Sequence, residues 1–190
     1  MRAVLREFSS YKGESSHFWI YGAGDFDPRI DDIASIVSKI ARENDGVDMV
    51  YLDFLQDLSG PVGQKLEERQ IIAYNAKGFK RICVDNDCAG TMLSQFNQES
   101  HHQKMPTKRS FRGSGVIADC SHLMSCLYCE NNEGMNKKDV RELLFYSVKT
   151  RLVKPWGRKV MFYGKRGRFA FPSRIADEDV PDYDKQFSAK

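Results

Sequence analysis

The sequence predicts an α/β fold with a mainly parallel, twisted sheet flanked by helices and a C-terminal β-hairpin. Two apolar segments, residues 47–52 and 91–93, end in polar residues, and a helical pattern lies between them. Strand–helix–strand order with near-continuous apolar strands is typical of parallel sheets that are covered on both faces. The composition agrees, because 41% hydrophobic and 12% aromatic residues are usual for a globular protein.

Local patterns predict the other elements of this fold. Ile33, Ile36, Val37 and Ile40 recur at the spacing of one apolar helix face. Similar reasoning predicts one more helix and three further strands: a helix at 67–81, and strands at 17–22, 142–148 and 159–163. The last two of these strands form the predicted C-terminal hairpin.

The length of 190 residues fits one main domain. We expect an N-terminal arm or frayed helix at residues 1–16, the main segment at 17–170 and an acidic tail at 171–190. No segment reaches the roughly 20 apolar residues of a membrane span, and the first residues lack the apolar core of a signal peptide. These features predict a cytosolic protein with no membrane partner.

Five cysteines are present, and without an export signal we expect reduced thiols. Cys126 and Cys129 have the C-x₂-C spacing of a zinc half-site, and Cys83 and Cys88 are spaced C-x₄-C. However, residues three apart in a strand face opposite sides of the sheet, which hinders chelation. The alternative, which we favour, is that MSCLYC is a buried strand whose cysteines act as small apolar residues.

The net charge of +3 is unevenly distributed. Residues 149–168 contain eight lysines and arginines and no carboxylate, whereas residues 177–184 are acidic. A basic segment of this kind can bind nucleic acid or nucleotide phosphates, and it can equally be a solvated hairpin. The charge pattern alone leaves both interpretations open.

Polar residues follow the two apolar strands at their C-terminal ends. Asp53 follows residues 47–52, and the second strand ends in Ser94-Gln95-Phe96-Asn97-Gln98. A carboxylate at such a position suits Mg²⁺, which takes one or two carboxylates together with waters and phosphate oxygens. The alternative is an ordinary aspartate that caps the next turn. The phosphate-binding pattern GxxxxGK[ST] does not occur in the 190 residues.

Four motifs occur in one order: VYLDFLQ, SQFNQ, FRGSG and KTR. This series resembles the C-terminal ATPase domain of hexameric replicative DNA helicases, the DnaB-type and phage primase-helicase family with a RecA-like core. Asp53-Phe54-Leu55-Gln56 matches the family's Asp-Tyr-Leu-Gln, and Lys149-Thr150-Arg151 matches its late Lys-x-Arg. The resemblance covers about residues 17–169 and implies a partial RecA-like core.

The resemblance also implies roles for individual residues at a nucleotide site. Asp53 would organise Mg²⁺ through water, and Gln56 and Gln95 would contact the nucleotide, Gln95 as a sensor of the γ-phosphate. Lys149 and Arg151 would reach the neighbouring subunit's nucleotide, Arg151 as an arginine finger. The implied cofactors are ATP and Mg²⁺. The alternatives are structural: Gln95 only satisfies backbone groups at the strand end, and Lys149 and Arg151 are exposed charges on the hairpin.

The resemblance further implies a central-channel loop on single-stranded DNA at residues 104–115. The implied DNA-binding residues are Lys104, Lys108, Arg109, Arg112, Gly113, Ser114 and Gly115. Cations attract phosphates, and glycines let backbone amides approach them closely. Lys108 and Arg112 can also be solvated loop charges. The implied partners are single-stranded DNA and a P-loop-bearing helicase chain in an oligomeric ring, in the bacterial cytoplasm and of host or phage origin.

The predicted function is the C-terminal portion of a replicative helicase motor that couples ATP hydrolysis to translocation on single-stranded DNA and duplex unwinding. Since the P-loop and the catalytic glutamate of the family have no match, we predict that the isolated chain does not hydrolyse ATP and that another chain or segment supplies the P-loop. The alternative is a non-catalytic DNA- or helicase-binding module, such as a loader, an inhibitor or a degenerate paralogue. A recombinase-type relative is a third possibility, and the residues of the Asp-Phe-Leu-Gln and Ser-Gln-Phe-Asn motifs disfavour it.

Overall fold

The structure, a computed structural model, describes residues 6–11, 14–22, 27–97, 105–129, 140–164 and 167–171. It divides into two compact units, Met1–Leu93 and Ser94–Lys190. The predicted domain boundaries at residues 16/17 and 170/171 stay predictions. The acidic tail lies outside the described residues.

The first unit starts with an antiparallel hairpin of two strands. These are β1 (Arg6–Tyr11) and β2 (Glu14–Ile20), paired so that Phe8 lies opposite Phe18. The strand predicted at residues 17–22 is therefore present up to Ile20. The described residues before it are strand rather than a frayed helix, because pairing satisfies backbone groups that a short lone helix would leave to water.

Two helices carry most of the apolar packing of the first unit. They are α1 (Ile30–Glu43) and α2 (Glu68–Asp85), and both predicted helices are confirmed within a few residues. Their apolar faces meet where α2 has a glycine: a Cβ on Gly78 would lie 2.6 Å from Ile30 Cγ1. The hydroxyl of Tyr74 donates to the Asp31 carboxylate at 3.0 Å and joins the same helices. Gly78 thus permits a close approach that any side chain would prevent.

A parallel strand pair packs on α2. Its members are β3 (Met49–Leu52) and β4 (Ala89–Met92), in register from Met49 opposite Ala89 to Leu52 opposite Met92. Both strands end at the same edge, as predicted. The expected cover on both faces is not found, because the Tyr51 side chain is 64% exposed. In the part of the chain that the structure describes, this sheet has two strands, and α2 packs on one of its faces.

The second unit contains a helix and an antiparallel sheet of four described strands in the order β5-β6-β7-β8. The elements are α3 (Ser114–Cys120), β5 (Leu123–Tyr128), β6 (Val140–Thr150), β7 (Gly157–Tyr163) and β8 (Arg168–Ala170). The predicted C-terminal hairpin is confirmed as β6 and β7. A six-residue connection is too short for a parallel crossover, which needs a dozen or more residues, so these strands run antiparallel.

The sheet of the second unit has a buried apolar face. Met124 and Cys126 of β5, Tyr146 of β6 and Val160 of β7 are all buried. The strand expected at MSCLYC is confirmed as β5, but only one of its faces is buried, since Leu127 is 45% exposed. The fold class is α/β with both parallel and antiparallel sheets, and its antiparallel share exceeds what the strand–helix alternation alone predicts. No helix in the described ranges is long and apolar enough to cross a bilayer.

Candidate functional site

The edge of the first unit's sheet carries Asp53 and Gln56. Asp53 follows β3 directly and is exposed, and Gln56 lies half-buried in a 3-10 turn at Leu55–Asp57. Leu55 fixes this turn, because its side chain is fully buried and its N–H donates to the Leu93 carbonyl at 3.0 Å. The buried Asn75 of α2 donates to the Leu58 carbonyl at 3.0 Å. The main chain just after Asp53 is thus held in place, while Asp53 itself is exposed.

The donors at this edge fit a hydrated Mg²⁺ better than a metal bound only by protein. The described residues contain no group of three or more His, Cys, Asp or Glu side chains that could hold a metal ion. An exposed single carboxylate can contact a magnesium ion that keeps its waters and takes phosphate oxygens. Asp53 alone can therefore supply one part of such a site.

Of the five cysteines, Cys126 is buried and the others are half-buried. Burial raises the pKa of the Cys126 thiol to about 12 and that of Cys83 to about 11. Zinc binds the thiolate, which such burial disfavours. Cys126 also lies inside β5, where it is 1% exposed.

In the second unit, main-chain hydrogen bonds join the Gln95 segment to the predicted DNA-binding loop. Arg112 N donates to the Gln95 carbonyl at 3.1 Å, and Asn97 N donates to the Ser110 carbonyl at 2.8 Å. Between these two hydrogen bonds, Phe96 and Phe111 form an antiparallel β-bridge. Their ring centroids lie 5.1 Å apart in an edge-to-face arrangement. These contacts tie residues 95–97 directly to residues 110–112.

The loop itself is held by short-range polar contacts. Ser110 is buried, and its Oγ accepts a hydrogen bond from Thr107 N at 2.9 Å. Thr107 Oγ1 accepts one from Arg109 N at 3.2 Å. Lys108, Arg109 and Arg112 are exposed on this scaffold. Three cations are therefore presented by a loop whose backbone is internally hydrogen-bonded, an arrangement that suits phosphate binding.

The loop ends two residues earlier than the prediction of 104–115. Gly113 has φ +77°, the left-handed conformation that favours glycine, and α3 begins at Ser114. Ser114 and Gly115 are consequently helical. Lys104 lies outside the described residues.

Lys149 and Arg151 contact the C-terminal end of α3. The Lys149 ammonium donates to the Ala118 carbonyl, and Arg151 Nη2 donates to the Asp119 carbonyl at 3.4 Å. Cations are favoured there, because the last carbonyls of a helix carry partial negative charge. Lys149 is half-buried, and its burial, followed by the neighbouring Arg151 and Lys108 cations, lowers its pKa.

The candidate residues divide between the two units. Asp53 and Gln56 belong to the first unit, and the other described candidates belong to the second. Sequence reasoning missed Tyr146, whose hydroxyl donates to the Pro106 carbonyl at 2.6 Å, and the carbonyls of Ala118 and Asp119. Backbone acceptors leave no signal in a residue pattern, and a tyrosine in an apolar strand looks like core.

Comparison with known proteins identifies relatives of this chain. The family model for the DnaB-like helicase C-terminal domain matches residues 8–170. The replicative DNA helicase DnaB of Haemophilus influenzae is 27% identical over 143 residues, which are 73% of this chain and 30% of the relative. The DnaB of Pasteurella multocida is 26% identical over 156 residues, 80% of this chain and 32% of the relative. The chain thus spans about a third of the length of these curated relatives.

Solved structures share the fold. One of them, the structure of an ATPase domain, superposes with a TM-score of 0.66 at 20% identity, over 77% of this chain and 52% of its own. A DnaB-like replicative helicase, solved for its interactions with primase, superposes with a TM-score of 0.67 at 18% identity, over 77% of this chain and 36% of its own. These likenesses confirm the partial RecA-like core that the motifs imply.

Proposed function

Since this chain belongs to the DnaB-like helicase C-terminal domain family, we propose that it is the C-terminal portion of a replicative helicase motor. The motor couples ATP hydrolysis to translocation on single-stranded DNA and to duplex unwinding, within an oligomeric ring in the bacterial cytoplasm. One observation carries this proposal: backbone hydrogen bonds join Gln95 to Arg112 and Asn97 to Ser110. They connect the proposed phosphate sensor to the proposed DNA loop.

On the nucleotide side, Asp53 orients a hydrated Mg²⁺, which would neutralise charge on the phosphates of ATP. Gln56 and Gln95 contact the nucleotide, Gln95 at the γ-phosphate. The phosphates also need a backbone cradle and a lysine, which GxxxxGK[ST] provides in P-loop proteins. That pattern does not occur in these 190 residues. Another chain or segment supplies it, and this chain by itself does not hydrolyse ATP.

Across the subunit boundary, Lys149 and Arg151 reach the nucleotide of the neighbouring subunit. Their present partners, the carbonyls of Ala118 and Asp119, are neutral acceptors. A phosphate oxygen carries negative charge, so it attracts a cation more strongly than a neutral carbonyl oxygen does. Arg151 then stabilises the charge that develops on the transferring phosphoryl group.

On the DNA side, Lys104, Lys108, Arg109 and Arg112 contact backbone phosphates, together with amides near Gly113, Ser114 and Gly115. The exposure of Lys108, Arg109 and Arg112 on an ordered loop supports this role. Contacts to phosphates carry no sequence information, so binding is largely independent of sequence and weakens steeply with salt.

The decisive experiment purifies the tagged full chain from its own cells, identifies any stoichiometric P-loop protein with it and measures ATPase activity with single-stranded DNA. The complex should hydrolyse ATP, and Arg151→Ala should lower its turnover at least about 10³-fold, as expected for an arginine finger. Lys154→Ala, at an exposed lysine three residues on, is the matched control. Robust, Asp53-dependent turnover by the chain alone would overturn the split arrangement.

A second candidate function is a non-catalytic DNA- or helicase-binding module. One observation favours it: the described hydrogen bonds that shape the DNA loop come from residues of the second unit and need no nucleotide. Copurification separates the two functions. A stoichiometric P-loop partner supports the motor, whereas a stable lone monomer that binds DNA supports the module.

A further inference from the structure

Tyr146 of β6 connects the four-stranded sheet to the start of the DNA loop. Its side chain is fully buried, and its hydroxyl donates to the Pro106 carbonyl at 2.6 Å. Pro106 is itself buried. A hydroxyl in this setting has little access to water, so the hydrogen bond to Pro106 satisfies its donor.

Lys149, three residues further along β6, holds the other end of the same segment through the Ala118 carbonyl. Residues three apart in a regular strand face opposite sides of the sheet. Here the register shifts: Cys126 pairs with Tyr146, Ser125 pairs with Ser147, and Met124 pairs with Lys149. Val148 is therefore the extra residue of a β-bulge.

The bulge places Tyr146 and Lys149 on one face of the sheet. Their partners Cys126 and Met124 are two residues apart and both buried, so they share a face. Bulges are frequent next to functional sites because they re-aim side chains in this way. Strand β6 thus holds residues 106–118 at two points.

We propose that Tyr146 is a positioning residue for DNA binding: it fixes the Pro106 end of residues 106–118, while Lys149 holds the Ala118 end releasably. This inference rests on the DNA-binding role proposed for the loop. When Lys149 turns to a phosphate of the neighbouring subunit, the Ala118 end is released and the Pro106 end stays on β6. Nucleotide contact then moves the loop about a fixed point.

Tyr146→Phe tests the fixed point, because it removes only the hydroxyl. Hydrogen exchange and binding of fluorescein-labelled oligodeoxythymidylate at low salt are measured on the full chain. We expect exchange of the amides in residues 107–112 to accelerate roughly fivefold or more, as for the loss of one buried hydrogen bond. DNA affinity should fall several-fold, and its dependence on salt concentration should become shallower as phosphate contacts are lost.

Ser147→Ala is the matched control on the same strand. Ser147 Oγ accepts from Trp156 N at 2.9 Å and donates to the Trp156 carbonyl at 3.3 Å, so this variant also loses part-buried hydrogen bonds, but ones that do not involve the loop. It should accelerate exchange near Trp156 and leave DNA affinity and its salt dependence unchanged. At the releasable end, Lys149→Met should accelerate exchange near Ala118, and Lys149→Arg, which keeps a donor, should restore protection.

Two results would overturn the inference. One is a Tyr146→Phe variant with wild-type exchange in residues 107–112 and wild-type DNA affinity. The other is faster exchange throughout the described sheet, equal to that in the loop, which would mean general destabilisation. If the wild-type chain binds no DNA, the proposed function fails, and the exchange data still decide whether Tyr146 fixes the loop.

Discussion

Asp53 in the first unit and Lys149 in the second are both charged, and the protein holds them in different ways. Asp53 is exposed at the end of a parallel strand pair, and buried residues beneath it, Leu55 and Asn75, hold the main chain. Lys149 is half-buried on an antiparallel strand, and its ammonium is itself hydrogen-bonded to the Ala118 carbonyl.

The difference bears on how each group can act. A carboxylate that is placed by its backbone and left in solvent can receive a hydrated ion without losing a protein contact. An ammonium bound to a carbonyl has one of its three N–H donors engaged, and it must move away from that carbonyl to reach a phosphate on a neighbouring subunit. Packing therefore preforms the first position, whereas hydrogen bonding restrains the second.

The largest expected effect tests the packing beneath Asp53. Leu55 is fully buried, so Leu55→Ala should lower the free energy of unfolding by about 2–5 kcal/mol through lost burial and the cavity left behind. Urea unfolding measures this loss. Leu93→Ala, at a side chain that is 51% exposed, is the control and should change stability by less than about 0.5 kcal/mol. A loss under about 1 kcal/mol for Leu55→Ala would contradict placement by packing.

A smaller effect is expected where β4 meets α2. A Cβ on Gly90 would lie 2.9 Å from Phe79 Cε1 and closer still to Cys83 Sγ. Gly90→Ala should therefore destabilise the protein by about 1–3 kcal/mol through overpacking. Gly22→Ala is the control, since a Cβ there meets no atom of the described residues within 4 Å. Thermal unfolding of both variants compares them, and equal midpoints would show that the strand pair can move away from α2.

Because Cys126 is buried in the sheet of the second unit, the free energy of unfolding should depend on pH. The pKa of Cys126 rises from 9.0 to about 12 on burial, so the folded chain keeps a proton that the unfolded chain releases above pH 9. The free energy of unfolding should fall by about 1 kcal/mol between pH 9 and pH 10 from this thiol alone.

Urea unfolding at pH 8, 9 and 10 measures this dependence. Cys126→Ala should make the fall between pH 9 and pH 10 smaller, and the raised pKa of Cys83 should account for part of what remains. Cys129→Ala, at a half-buried thiol just beyond β5, is the control for loss of a cysteine. Parallel curves for wild type and Cys126→Ala would contradict the assignment.

The smallest effect on stability is expected at Lys149. Its surroundings lower its pKa, so the folded state gains little from the charge, although the ammonium is hydrogen-bonded. Lys149→Met should change the free energy of unfolding by less than about 1 kcal/mol in either direction. Chemical denaturation measures the change, with Lys154→Met as the exposed control. A loss above about 2 kcal/mol would mean that the Ala118 contact is structural rather than a releasable restraint.

Much of this architecture follows from patterns in the sequence. The periodicity of Ile33, Ile36, Val37 and Ile40 predicts α1, and the apolar run before Asp53 predicts β3, because burial of side chains decides both elements. The short strand β8 and the short helix α3 carry too few residues for a periodic signal.

The candidate site was less accessible from the sequence. The position of Asp53 at a strand end is a local property and was predicted. The acceptors of Lys149 and Arg151 are backbone carbonyls of α3, more than 30 residues earlier in the chain, and any residue type could provide them. The bulge at Val148 was equally hidden, since it depends on the pairing register with β5.

As the extra residue of the bulge, Val148 changes which face of the sheet the following side chains of β6 occupy. Side chains alternate between the two faces of a sheet, and one additional residue reverses the alternation for every position that follows. Deleting Val148 would leave the composition of the Lys-Thr-Arg motif intact, yet turn Lys149 away from the face it shares with Tyr146. The residue types of the motif are thus set by its three positions, whereas the face of the sheet on which Lys149 lies depends on whether an extra residue precedes it in the strand.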